Sequence, residues 1–426
     1  MAILRLLLLF LFFFSLSEAS TPATLFLPIT KDGATHQYVT RIYQGTPLTP
    51  FPLVLDLAGQ FLWVDCDSGY SSSSYRSVRC RSIQCAAANA QRCGLCFSTP
   101  RPGCNNHTCG LSPENTVTGT VTSGELAVDV IALPSAYGSE PGPIATAHHF
   151  LFSCAPTPLL AHLASGVRGM AGFGRNRIGL PSQLAAAFNF DRKFAICLPS
   201  STASDGVVFF GNGPYTVVSG IDLLETLQYT PVIVNPLLPD DYFIGVESIK
   251  ISGKKLSLNA SLLSIDDREG TGGTKLGTVV PYSTMESSIY AIFTKAFERA
   301  AIAAFNMTRV ASVGPFGVCF SSESVDITRT GPSVPTIDLV LQSEMVYWRI
   351  SGANSMVQVS EDVMCLGFLD GGPNARTSIV VGGFQLENNL VLLDVGASRL
   401  GFSSSLLTRQ MTCSDFNLRP IRRVSS

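Results

Sequence analysis

An all-β architecture of two lobes with a few peripheral helices is predicted by three observations. Runs such as Tyr38-Val-Thr-Arg-Ile-Tyr43, Val207-Val-Phe-Phe210 and Thr377-Ser-Ile-Val-Val381 are β-branched or aromatic and stand next to Gly or Pro punctuation, the pattern of strands. Helical patterns are few, the clearest being Pro181 to Phe188 and Ser287 to Phe305, the second apolar at three- and four-residue spacing. Of the 426 residues, roughly 400 remain once a leader is set aside, more than one ordinary core organises.

The leader is residues 1–20. Arg5 supplies a positive start, Leu6 to Phe14 an unbroken apolar run, and Ser17-Glu18-Ala19 a small-x-small cleavage site, so the mature chain is expected to begin at Ser20 or Thr21 and to be secreted. No later segment keeps about eighteen consecutive apolar residues, so no membrane span is expected. The first lobe is placed at 21–225 and the second at 226–426. Between them Thr230 to Asp241 carries Pro231, Pro236 and Pro239 and reads as the crossing. The Gly/Ser-rich stretch Ser68 to Ser74 reads as a free surface loop. A formal net charge of −2 and a pI near 6.2 give no broad basic field for nucleic acid or an anionic membrane. The basic run Arg419 to Arg423 reads as a solvated tail.

Twelve cysteines, Cys66, Cys80, Cys85, Cys93, Cys96, Cys104, Cys109, Cys154, Cys197, Cys319, Cys365 and Cys413, all follow the leader. An even count behind a secretory leader favours disulfides. Zinc is the competing reading for Cys93-Gly-Leu-Cys96. His148-His149 invites a metal reading as well, but neighbours on a strand face opposite ways, and neither metal nor cofactor is expected. Asn106, Asn259 and Asn306 head glycosylation sequons.

Phe51-Pro-Leu-Val-Leu-Asp56-Leu-Ala-Gly59, followed by Phe61-Leu-Trp63, resembles the first active-site loop of the pepsin-type aspartic proteases, which reads Asp-Thr/Ser-Gly. Gly166-Val-Arg-Gly-Met-Ala-Gly-Phe-Gly174 and Ile379-Val-Val-Gly-Gly383 resemble the segments beneath the two loops. The resemblance covers nearly the whole mature chain and implies the bilobal pepsin-like fold. Read against the second loop, Gly277-Thr-Val-Val-Pro281-Tyr-Ser-Thr284 places Pro281 at the second catalytic aspartate. The protease mechanism needs two carboxylates sharing one proton, and proline can neither hold nor give one. Leu57 and Ala58 replace the hydroxyl and glycine that orient the first carboxylate, and Thr116 falls near the position of the flap tyrosine. No protease activity is therefore expected. Asp56 is left either as a carboxylate held by loop amides or as a lone acid, the first being favoured by the cost of burying it unpaired. Trp63 reads as core.

The cysteine-rich insert Cys80 to Cys109 resembles the plant nepenthesin-like branch. The altered loops, with Gly331-Pro-Ser-Val-Pro335, resemble the narrower group of extracellular dermal glycoproteins, xyloglucan-specific endoglucanase inhibitors, xylanase inhibitors and basic 7S globulins. The resemblance implies a secreted monomer that binds a microbial endoglucanase or xylanase through arginines on C-lobe loops, and Arg329 in Ile327-Thr-Arg-Thr-Gly331 matches the first of these. At the second, before Cys413, Gln410 stands at the matched position and Arg409 one residue earlier; Arg376 is a third candidate by analogy of fold. The alternative within the group is a binding or storage protein without inhibitory activity, and a pull-down of secreted hydrolases separates the two. Pairing is expected within the insert and between Cys319 and Cys365.

Overall fold

The computed structural model describes residues 24–416, apart from Gln91, Gly138, Ser139, Pro214, Thr216, Val218 and Ser219. The leader and the basic run from Arg419 lie outside the described residues. Strand β1 (Thr24–Lys31) carries its apolar residues into the core and pairs antiparallel with the strand Gly206–Gly211, from Thr24↔Gly211 to Ile29↔Gly206. Its end turns into β2 (Tyr38–Gln44), which forms a hairpin with β3 (Thr49–Asp56) through a turn where Gly45 takes φ 86°, a left-handed angle that costs glycine nothing. Strand β3 delivers Asp56 at its last residue. It lies parallel to Gly169–Gly172 with Val54↔Met170 and Asp56↔Gly172.

The second lobe repeats that unit. Thr274–Leu276 runs parallel to Ile379–Val381, with Lys275↔Val380 and Leu276↔Val381. An antiparallel pair joins the lobes, Lys193–Cys197 with Leu390–Asp394, and within the second lobe Gln228–Asn235 pairs with Arg399–Phe402. The segment Thr230 to Asp241, read from the sequence as the crossing between lobes, is built of strands. Its residues form the strands Gln228–Asn235 and Leu238–Ile244, paired antiparallel. Pro231 takes a place in the ladder opposite Arg399, and Pro239 falls in the irregular stretch between the pairs Asn235↔Leu238 and Ile233↔Phe243. The tyrosine hydroxyl of Tyr242 donates to the carbonyl of Phe173 at 2.8 Å, tying this hairpin to the aromatic core of Phe173, Phe194 and Phe210.

Both expected helices form, Leu180–Phe188 and Ser287–Phe305. The longer one buries Ile289, Phe293, Phe297 and Ala301 at four-residue steps, the stripe its sequence spacing dictates. Glu286 caps it, its carboxylate accepting from the amides of Ser288 (2.9 Å) and Ile289 (3.3 Å). Asn306 ends it in the left-handed region at φ 51°.

The serine-rich stretch expected to be free is tied down. Ser72 and Ser74 donate to Oδ1 of Asp129 at 3.1 and 2.5 Å, and Tyr70 donates to its Oδ2 at 2.7 Å. Asp129 is buried, and a buried carboxylate needs such donors, which no local reading of the loop could supply. All twelve cysteines pair: Cys66–Cys154, Cys80–Cys93, Cys85–Cys109, Cys96–Cys104, Cys197–Cys413 and Cys319–Cys365. The zinc reading of Cys93 and Cys96 is thereby set aside. His148 and His149 both lie exposed beside a bulge, with His149 at φ 58°.

Candidate functional site

Asp56 sits at the floor of an interlobe cleft of about 350 Å³ whose walls include Trp63, Thr116, Asp241, Lys275 and Gly277. Its side chain is buried at 2 % exposure. Oδ1 accepts from the Ala58 amide at 3.1 Å and Oδ2 from the Thr116 hydroxyl at 2.6 Å. Burial pushes its pKa up to about 6; the Asp241 charge adds to the rise, and the bonds from Thr116 and Ala58 oppose it. Gly59 is required here, since a Cβ would stand 2.7 Å from Oδ2 of Asp56. The hairpin Glu114–Asn115 with Thr120–Val121 carries Thr116 over the cleft, and Trp63 anchors it by donating from Nε1 to the Glu114 carbonyl at 2.9 Å. Trp63 is buried as expected, but it also lines the cleft.

The second loop meets the first through one hydroxyl. Thr278 Oγ1 accepts from the Leu57 amide at 3.0 Å and donates to the Leu55 carbonyl at 2.8 Å. This contact and the strand registers correct the placement of the second dyad position. Val54 pairs with Met170 as Lys275 pairs with Val380, and in each case the second residue onward on the partner strand is a glycine, Gly172 or Gly382. Two residues on from Val54 is Asp56; two on from Lys275 is Gly277. Pro281 lies four residues beyond, in a turn where its carbonyl accepts from the Phe384 amide at 2.8 Å, away from the cleft wall. The sequence comparison slipped by four because the second loop keeps neither the aspartate nor its flanking glycine. Gly277 has no side chain, so the pair holds one carboxylate. The nearby Asp241 carboxylate is engaged by Lys275 Nζ at 2.7 Å.

The candidate contact arginines lie elsewhere on the second lobe. Arg329 is exposed at the turn of the small hairpin Ile327–Thr328 with Gly331–Pro332. Thr328 Oγ1 donates to the Gly331 carbonyl at 2.7 Å and the Ala353 amide to the Thr330 carbonyl at 2.8 Å, fixing the turn; Gly331 takes φ 92°. With its amide oxygen turned to the guanidinium, Gln410 accepts from Nη1 and Nη2 of Arg329, both at 3.2 Å. The two loops expected to act together are therefore neighbours, and Gln410 itself is the residue in contact. Arg409 is exposed at the end of the turn Leu406–Arg409, one residue before. Arg376 is exposed on a loop whose backbone bond runs to Gly272, at 2.8 Å. Gln410 was visible in the sequence only as a mismatch; its role as a brace for Arg329 needed the fold. Asn106, Asn259 and Asn306 are all exposed.

Comparison with known proteins decides the family. A family model described as Xylanase inhibitor N-terminal matches residues 38–212, and one described as Xylanase inhibitor C-terminal matches residues 241–404. The chain belongs to the xylanase-inhibitor family. Within it, the chain is 56 % identical over 418 residues to a probable aspartic proteinase GIP2 of Nicotiana benthamiana, covering 95 % of this chain and 94 % of that one. It is 45 % identical over 403 residues to gamma conglutin 1 of Prunus dulcis, covering 93 % and 90 %. Its fold superposes on the crystal structure of EDGP with a TM-score of 0.91 at 55 % identity, covering 94 % of this chain and 99 % of that one. The fold of this xylanase-inhibitor family member is the bilobal pepsin-like one, and its six disulfides suit an oxidising compartment.

Proposed function

We propose that this protein acts outside the cell as an inhibitor of a microbial cell-wall-degrading glycoside hydrolase, a xyloglucan-specific endoglucanase foremost, and that it does not cleave proteins. The single observation that carries the reading is Arg329, exposed at the turn of a short hairpin with its guanidinium held by Gln410. A glycosidase works with two carboxylates flanking the scissile bond in an open cleft. A guanidinium is permanently charged and forks two donors onto a carboxylate, so an arginine presented on a braced turn can occupy both. Holding the side chain before contact reduces the entropy lost on binding. Arg409 stands next to the brace and adds positive charge to the same edge. The lack of proteolysis follows from one carboxylate where the chemistry needs two.

Inhibition kinetics against a purified xyloglucan-specific endoglucanase test the proposal. Truncating a charge that is buried in a contact costs about 2–5 kcal/mol, so Arg329→Ala is expected to weaken inhibition by well over tenfold, with Arg329→Lys intermediate and the exposed Arg192→Ala unchanged. Equal potency for Arg329→Ala removes the proposed contact. A second reading, a binding or storage protein, is favoured by the retained cleft and by the conglutin relative. It gains if the unmodified protein inhibits neither xyloglucanases nor xylanases.

A further inference from the structure

The disulfide-stapled insert carries a charge distribution that the overall balance conceals. From Ser68 to Pro113, the insert Cys80 to Cys109 together with its two flanks, stand five arginines, Arg76, Arg79, Arg81, Arg92 and Arg101, and no Asp or Glu. The chain as a whole has 29 Lys and Arg against 31 Asp and Glu, which leaves 24 against 31 for everything else. Register sets two of these arginines on one face. Arg79 bridges Thr108 and Arg92 pairs with Gly110, so they flank the strand Thr108–Leu111 from opposite sides at positions two residues apart. Residues two apart on a strand, and those directly paired with them, share a face. Arg79 and Arg92 are both exposed, while Thr108 opposite Arg79 and, on the other face, Val78 and Cys109 are buried. The outer strands stand about 10 Å apart, the width of two strand spacings, and Gly110 puts no side chain between them.

Arg101 is paired with Asp67 at 2.9 Å, and Arg76 turns its Nη1 onto the carbonyls of Ser73 and Tyr75. Arg79, Arg81 and Arg92 are exposed, and among the described residues no ion pair engages them. Phe97, in the same insert, is 99 % exposed although three disulfides fix the loops around it. A rigid support that holds unpaired guanidinium groups and a bare aromatic ring in water is a surface awaiting an anionic, partly apolar partner.

We propose that the insert binds an acidic polysaccharide, its arginines forking onto uronate carboxylates and Phe97 covering the apolar face of a sugar ring. An anionic bilayer fits less well. It is an extended plane, and within a Debye length of about 8 Å it would also meet the acidic remainder of the molecule, whereas a single polymer strand touches the insert alone.

The test is binding of the full-length protein to polygalacturonate, to uncharged galactan and to phosphatidylcholine vesicles containing phosphatidylserine, by calorimetry at 50 and 300 mM salt. The expected result is binding to polygalacturonate only, lost at the higher salt, and weakened at least tenfold by the double substitution Arg79→Gln/Arg92→Gln. Arg81→Gln alone is expected to weaken it severalfold and serves as an independent variant should the double one melt early; Arg268→Gln, outside the insert, leaves it unchanged. Binding that survives both insert variants, equal binding to galactan, binding to vesicles but not to the polymer, or no binding at all overturns the proposal.

Discussion

Asp56 titrates late because its two partners, the Ala58 amide and the Thr116 hydroxyl, do not compensate the loss of water. Its pKa stands at about 6 in the folded protein against an ordinary 3.8. An acid raised in this way stabilises the fold while protonated: the contribution is complete below pH 4 and is lost as pH rises through 6. Asp56→Asn cannot titrate, so relative to it the parent protein is expected to lose about 2 kcal/mol between pH 4 and pH 7. Denaturant melts of the two proteins across that range check this, and a constant difference between them refutes it. Gly277 is the residue to change for a second carboxylate, and its Cβ would meet Val380 Cγ1 at 3.2 Å, a contact that a small shift relieves. Gly277→Asp alone is nonetheless expected to yield no acid proteolysis, because Leu57 offers no side-chain donor to orient the pair. Hydrolysis blocked by a transition-state peptide inhibitor of aspartic proteases would show that one carboxylate was all the site lacked. The first loop was legible in the sequence because Asp56 survived as a landmark. The second was misplaced because Gly277 bears no chemistry to find, and only the strand register locates it.

At the scale of elements, the contact between the loops rests on Thr278, which answers a donor and an acceptor of the opposite loop at once. Thr278→Val keeps the shape and strands the Leu57 amide and the Leu55 carbonyl in a buried site. Leaving a buried polar group unsatisfied costs about 1–3 kcal/mol, so a loss of this size is expected in urea unfolding, with Thr278→Ser recovering most of it. Unchanged stability for the valine variant means that water reaches the loops. Strands and helices with clear periods were readable in advance: the stripe Ile289, Phe293, Phe297 is a helix by spacing alone. The proline-rich Thr230 to Asp241 was not: its prolines read as punctuation, and besides the local pairing of its two strands the ladder that holds it runs to Arg399–Phe402, far off in sequence. The insert illustrates the converse. Its arginines were plain in the sequence, but a net charge of −2 averaged them away until the register showed Arg79 and Arg92 on one face.

The whole molecule is held together across its lobes by pairings that join distant parts of the chain. Cys197–Cys413 links residues 216 apart beside the interlobe strands Lys193–Cys197 and Leu390–Asp394. On the other side, Lys31 Nζ meets Glu387 Oε1 at 2.5 Å and the Tyr38 hydroxyl donates to the same oxygen at 2.8 Å. Glu387 is buried at 1 % exposure; burial raises its pKa, and Lys31 and Tyr38 pull it back. A buried ion pair adds little by itself, but removing one partner leaves the other charged and dry, at a cost of about 3–5 kcal/mol. Lys31→Met is therefore expected to lower stability by that amount near pH 7. The penalty should shrink in acid, because Glu387 without Lys31 takes a proton and ceases to be a buried charge. A double change, Lys31→Met with Glu387→Gln, removes both charges and should recover much of the loss at neutral pH. Melting curves of the three variants at pH 4 and pH 7 decide the matter: a penalty for Lys31→Met that is equal at both values, and not relieved by Glu387→Gln, would mean that packing of the lysine stem, not its charge, fastens the first strands to the second lobe.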